Sequence, residues 1–127
     1  MRVALDTNRL TDLFNGDVEL AEHLEGCDEV SIPLIVLAEI KAGFLGGKQP
    51  HRNEAILQKL LAKATFKVLL PNRETADHYA KLFNQLKRAG TPLPGNDIWI
   101  SALALQHDLT LITRDQHFDR IPQLLRG

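Results

Sequence analysis

Val3-Ala4-Leu5-Asp6-Thr7-Asn8 opens the chain with three apolar residues, then an acid and two small polar residues. A run this short reads as a buried β-strand whose far end delivers the Asp6 carboxylate to a turn or helix start. The same pattern returns late in the chain, where Leu109 to Thr113 reads as a strand and Arg114-Asp115 follows at once. Two more strands are expected between them. One is Glu29-Val30-Ser31-Ile32, closed by Pro33, and the other is Phe66-Lys67-Val68-Leu69-Leu70, stopped by Pro71.

Helical patterns fill the intervals. From Asn8, Leu10, Leu13 and Phe14 share a side until Gly16, and Asp17 is placed to cap a second helix through Leu20, Ala21 and Leu24 that stops near Gly26. Residues 34 to 45 are apolar nearly all round, which predicts a buried helix ended by Gly46-Gly47. His51 to Ala64 carries Ile56, Leu57, Leu60 and Leu61 at helical spacing. Asn72 can cap a long helix with the stripe Ala76, Tyr79, Ala80, Phe83 and Leu86, and Gly90 stands where a left-handed C-cap is wanted. The stiff loop Thr91-Pro92-Leu93-Pro94-Gly95 then leads Asn96-Asp97 into a helix running to His107. Strands alternating with helices imply crossover connections and a parallel sheet covered on both faces, so the expected fold class is α/β in one domain, 1–127.

In open parallel sheets, ligands bind at the carboxyl ends of the strands, near where the strand order reverses. Asp6 and Asp115 both occupy such ends, and turn or cap chemistry is the plain alternative for each. Glu39 lies inside the apolar helix, where a charged carboxylate must be paired. Lys41, two residues on, faces elsewhere and is a poor partner, so the reading leaves a cation or a distant basic group to neutralise it. Asp97 at a helix start has a cap or first-turn role available to it as well. Together the four acids suit a hard divalent cation, which prefers oxygen ligands and keeps several waters. One or two such ions serve phosphodiester cleavage without a nucleophilic Ser, Cys or His.

Charge is divided along the chain although the net is only -1. Residues 1–40 hold nine acids against two basic residues, while residues 41–88 hold ten Lys or Arg against three acids. A basic face beside an acidic one suits a nucleic-acid backbone held next to metal-binding acids, with Lys41, Arg52, Lys87, Arg88 and Arg114 as first candidates for contact with that backbone. The lone Cys27 allows no internal disulfide and reads as a small buried hydrophobe, as in a reducing cytoplasm. No stretch approaches the ~20 apolar residues of a membrane span. His117 is a poor ligand for a hard metal, and Asp119 would face such a metal only from a helical segment.

Leu5-Asp6-Thr7-Asn8, Glu39, Asn96-Asp97-Ile98-Trp99-Ile100-Ser101-Ala102 and Leu111-Ile112-Thr113-Arg114-Asp115-Gln116-His117-Phe118, in this order, resemble the motifs of PIN-domain nucleases, most of all the VapC toxins of toxin–antitoxin systems. The likeness runs from Val3 to about Pro122. It implies a three-layer α/β/α fold around a central parallel sheet of four strands, or five if the tail forms one. It also implies a metal-dependent endoribonuclease with Asp6, Glu39, Asp97 and Asp115 as the catalytic quartet for one or two Mg²⁺ or Mn²⁺ ions. Thr7, Asn8, Asn96 and Thr113 would support the site. The implied partners are an RNA substrate, a cognate antitoxin and a second copy in a homodimer. Arg9 stands where many members carry an aliphatic residue; site rim, ion pair and solvent are all open to it. The tail after Ile121 is short for another strand.

Two other functions fit less of the chain. A phosphatase or phosphotransfer domain also places acids after its first strand, yet Asp6-Thr7-Asn8 lacks the second aspartate of haloacid-dehalogenase-like phosphatases, and no strand-end aspartate and lysine pair suggests a receiver domain. A non-catalytic module with the same fold would grip RNA or a protein without turnover.

Overall fold

A computed structural model describes all 127 residues, Met1–Gly127. Four strands, β1 (Arg2–Leu5), β2 (Glu29–Pro33), β3 (Phe66–Leu69) and β4 (Thr110–Ile112), form one sheet in the order β3-β2-β1-β4, with every pairing parallel. Successive strand residues point to opposite faces. Val3, Ala4 and Leu5 are nevertheless all buried, as are Val30, Ser31 and Ile32, so helices must cover the central strands on both sides. That is the three-layer arrangement expected.

The strand order places the reversal between β1 and β4. From β1 the chain builds outward through β2 to β3, then returns to lay β4 on the other side of β1. Asp6 follows β1 directly and Asp115 lies just beyond β4, so both stand at the carboxyl-end crevice that this reversal opens. The register Leu5↔Ile112 brings those two strand ends level.

Helix starts are set by side chains that satisfy free backbone N–H groups. Asp6 caps α1 (Thr7–Phe14) by accepting from Arg9 N at 2.9 Å, and Asp17 caps α2 (Val18–Glu25) through Leu20 N at 3.0 Å. Helix α3 is Leu34–Leu45, and α4 is Pro50–Leu61, which ends three residues before the expected Ala64. Asn72 and Thr75 form a reciprocal capping box on α5 (Arg73–Ala89), and Gly90 closes it at φ 72°, a conformation that favours glycine. Helix α6 (Gly95–Gln106) begins before Asn96, so Asp97 falls inside its first turn and is not its cap.

Two expectations need correction, both about which face of a helix is buried. Helix α3 is not buried all round: Val36, Leu37, Ile40 and Phe44 enter the core, whereas Leu34, Ala38 and Leu45 face outward. Uniform apolarity identifies no buried side, so a helix with one uncovered apolar face reads the same as one enclosed. The buried side of α5 is Thr75, Leu82 and Leu86, leaving Ala76, Ala80 and Phe83 exposed. The tail forms no full fifth strand. It leaves one parallel bridge, Leu111↔Arg126, with Leu111 N donating to Leu125 O and Gly127 N to Leu111 O. Cys27 is buried and unpaired, and no helix is long and apolar enough to cross a membrane.

Candidate active site

Asp6 is the most enclosed member of the site, with 3% of its surface exposed. One carboxylate oxygen accepts from Arg9 N and the other from the Thr113 hydroxyl, so Asp6 is at once helix cap and crevice acid. Its position follows from the sequence directly, since the β1 strand ends there and α1 begins one residue later. Burial pushes its proton affinity above the ordinary aspartate value; the two hydrogen bonds oppose that shift, and the Asp115 charge adds to it. Thr113 also accepts from Asp115 N at 3.0 Å, which makes its hydroxyl the joint between the two acids.

Asp115 caps a 3₁₀ turn, η1 (Gln116–Arg120), by accepting from His117 N at 2.9 Å. The imidazole Nδ1 of His117 stands 3.3 Å from the same carboxylate oxygen. Sequence reasoning set His117 aside as a ligand, and its role as a neighbour of an acid was legible only in the two-residue spacing. Asp119, on the same turn, pairs with Arg126 from the tail and so has a basic partner of its own.

Asp97 joins the group from α6. Its proton affinity is raised first by partial burial, then by the charges of Asp115, Glu39 and Asp6 in that order. The three other carboxylates act on this one group, which places all four in one electrostatic neighbourhood although they lie on four separate stretches of chain. Ser101, one turn along the same face of α6, spends its hydroxyl on Asp97 O at 2.8 Å.

Glu39 departs from expectation. It is exposed, on the outward side of α3, and accepts from the Thr7 hydroxyl at 2.7 Å. Open to water, Glu39 needs no counter-charge on account of burial; its tie to the site is Thr7 and its charge on Asp97. Beside it a groove of about 260 Å³ runs between α1, α3 and α4, lined by Thr7, Phe14, Asn15, Ile40, Phe44 and Asn53 among others. Asn8 and Asn96 are exposed at the starts of α1 and α6, and neither side chain makes a hydrogen bond within the chain.

The basic candidates divide. Lys41 pairs with Glu54 at 2.6 Å, and Arg114 forms a fork on Asp12, with Nε at 2.9 Å and Nη2 at 3.3 Å. Arg52 reaches Gln49 at 3.3 Å, and Lys87 and Arg88 are exposed on α5. Arg9, whose direction the sequence left open, pairs with Asp12 at 3.0 Å and Asp17 at 3.7 Å. Asp12 was not singled out from the sequence; the Arg9 spacing along α1 was its one available signal.

The chemistry of these donors suits a hard cation. They are carboxylate oxygens at a crevice where no Lys or Arg pairs with Asp6, Glu39, Asp97 or Asp115. No three His, Cys, Asp or Glu side chains stand close enough together to hold a metal ion by themselves. A hydrated ion held by one or two carboxylates, with waters completing its shell, needs no such grouping.

A parallel sheet with acids gathered at its switch point defines a class, and the family comparison supplies it: the PIN-domain model matches residues 3–124, and this chain belongs to the PIN-domain family. Within that family its relatives are proteins named ribonuclease VapC. It is 31% identical over 125 residues to ribonuclease VapC1 of Haemophilus influenzae, spanning 94% of this chain and 92% of that one. It is 27% identical to ribonuclease VapC2 of Rickettsia felis, over 93% and 85% of the two chains. Among solved structures, VapBC2 from Rickettsia felis bound to a DNA fragment from its promoter contains a chain that superposes with a TM-score of 0.91 at 26% identity, covering 100% of this chain and 98% of that one. A chain of VapBC-1 from nontypeable Haemophilus influenzae gives 0.89 at 30% identity, covering 100% and 97%.

Proposed function

We propose that this chain is a metal-dependent endoribonuclease, the toxin of a toxin–antitoxin pair, acting in the cytoplasm. The observation that carries the reading is the gathering of Asp6, Glu39, Asp97 and Asp115 near the β1/β4 switch point with no Lys or Arg paired to them and only the His117 imidazole beside Asp115. The names of its relatives supply the substrate class, and the VapBC toxin–antitoxin complexes supply the kind of partner, an antitoxin, which in this reading would cover the acidic crevice. A second copy of the chain as homodimer partner belongs to the same reading.

Asp6 and Asp97 would hold Mg²⁺ or Mn²⁺, as one ion or two, with Asp115 and Glu39 beside them. When bound, the cation supplies charge for the phosphoryl oxygens and a water more acidic than bulk water. The protein's own contribution is placement. Thr113 fixes the Asp6 carboxylate and the Asp115 backbone together, Thr7 orients Glu39, and the α1 cap keeps Asp6 from turning. Asn8 and Asn96, free at the crevice rim, would donate to substrate or to ordered water. Arg52, Lys87, Arg88, Lys41 and Arg114 are proposed to meet the RNA backbone, the last two while still paired to Glu54 and Asp12.

The test is cleavage of a structured, fluorescently labelled RNA by the purified chain with Mn²⁺ or Mg²⁺. Asp6→Asn and Asp97→Asn should each lower the rate by at least about 100-fold, since even indirect disturbance of a metal site costs ~10–100-fold in activity. Cleavage that persists in both variants, or in excess chelator, sinks the proposal. Tight RNA binding without metal-dependent turnover would convert it to the binding-module reading.

A further inference from the structure

Asp12 stands outside the acidic quartet, at the centre of the ion-pair network next to it. It lies on α1 and accepts from Arg9 on its own helix and from the fork of Arg114 beyond β4. Arg114 is bracketed by two parts of the site: Thr113, whose hydroxyl donates to Asp6, and Asp115 itself. The two arginines differ in what else they have. Arg9 keeps a second acid, Asp17, at 3.7 Å, whereas the Arg114 side chain is 59% exposed and has Asp12 as its one ionic partner. Without Asp12, the acids left within electrostatic reach of Arg114 are Asp6 and Asp115, whose charges already act on its guanidinium after those of Asp12. A guanidinium fork matches carboxylate oxygens in pairs, so it would take up the oxygens that an ion needs.

We propose that Asp12 is a positioning residue that holds Arg114 away from the acidic quartet and so keeps those carboxylates open to a divalent cation. The proposal rests on the metal-dependent reading above. It assigns Asp12 no contact with substrate or ion. Its effect on the quartet passes through Arg114, since Arg9 keeps Asp17, and that gives it a signature: removing Asp12 is harmful only while Arg114 is present. A merely structural role for Asp12 would not be undone by taking away its partner.

The experiment is a Mn²⁺ titration, followed by the electron paramagnetic resonance of the free ion, on the full-length chain and three variants: Asp12→Ala, Arg114→Gln and the double variant. Position 12 is on a helix and alanine keeps the helix. Asp12→Ala should weaken Mn²⁺ binding about tenfold, the scale of one added cation within a few ångströms in a partly screened site. Arg114→Gln, read by ion uptake alone and not by RNA binding or cleavage, should take up Mn²⁺ at least as tightly as the unmodified chain, and the double variant should recover at least the unmodified affinity. The proposal is overturned if Asp12→Ala binds Mn²⁺ undiminished, or if the double variant stays as weak as Asp12→Ala alone. If the unmodified chain takes up no Mn²⁺, the metal reading falls and this proposal falls with it, an outcome distinct from uptake that Asp12→Ala leaves intact.

Discussion

The two ends of the sheet handle charge in opposite ways. At the amino ends of the strands, opposite charges meet: the Met1 ammonium lies 2.8 Å from Asp28, and Arg2 and Lys67 both converge on Glu29. These contacts hold both acids below their ordinary range, Glu29 chiefly through Lys67 and Asp28 through the chain terminus. At the carboxyl ends, burial and neighbouring acids drive Asp6 and Asp97 the other way. One end is neutralised from within the chain, whereas at the other no Lys or Arg pairs with Asp6, Glu39, Asp97 or Asp115. Asp6 and Asp115 repay folding as caps of α1 and η1, but the crowding of like charges around Asp97 does not.

The largest test of this contrast adds the missing charge. An ion that binds the folded chain alone, at about 100 times its dissociation constant, adds roughly 2.7 kcal/mol of stability. For a domain of this size that is a rise in Tm on the order of 10 °C. Scanning calorimetry with Mn²⁺ should show the rise, chelator should reverse it, and Asp97→Asn should forfeit most of it. A shift of less than about 1 °C at millimolar Mn²⁺ would remove the distinction between the two ends.

Next in size is Thr113→Val. The substitution leaves a buried carboxylate oxygen of Asp6 without its side-chain donor, a loss of roughly 1–3 kcal/mol in denaturant unfolding. Because the Thr113 hydroxyl also receives Asp115 N, the variant should lose Mn²⁺ affinity along with stability. An unchanged midpoint would mean that the pair contributes nothing at the crevice.

The pH dependence has a sign fixed by the same contrast. Asp6 and Asp97 bind protons more tightly folded than unfolded, so their contribution to stability is full below the ordinary aspartate value near 3.8 and is lost as pH rises through their raised values. Asp12 and Glu29, held low by their basic partners, act in reverse, contributing above the ordinary carboxylate value and losing that contribution as pH falls. Without divalent ions, stability should therefore climb out of acid and then sag on the way to neutrality. Mn²⁺ should abolish the sag. Asp97→Asn should remove part of it too, with a gain under about 1 kcal/mol because water still reaches the group.

The sequence showed the crevice more clearly than its wiring. Strand ends at Asp6 and Asp115 were legible because short apolar runs followed by an acid mark a strand and its exit, and the sheet order then made them neighbours. Asp97 was legible as a helix-start acid, though its place inside the first turn depended on the preceding prolines. Glu39 was legible as an acid in an apolar helix, but its exposure was not. An apolar helix was taken to be enclosed, while α3 leaves Leu34, Ala38 and Leu45 uncovered and Glu39 on its outer side. The contacts Thr113 to Asp6 and Arg114 to Asp12 join residues more than 100 positions apart, and no periodicity encodes such a pairing.

The smallest expected effect lies at the neutralised end. Glu29→Gln removes the charge that Arg2 and Lys67 share, at a position where the register Arg2↔Glu29 already aligns the strands through their backbones. Both basic side chains are about half exposed, so water competes for them and the pair contributes no more than ~1 kcal/mol. Screening at about 1 M salt shortens the Debye length to ~3 Å and should shrink even that difference. Mn²⁺ should leave it unchanged, since the ion is expected at the opposite strand ends. A Glu29→Gln loss that grows or vanishes with Mn²⁺ would show the two ends to be coupled, and the paired end could then no longer serve as the plain structural half of the comparison.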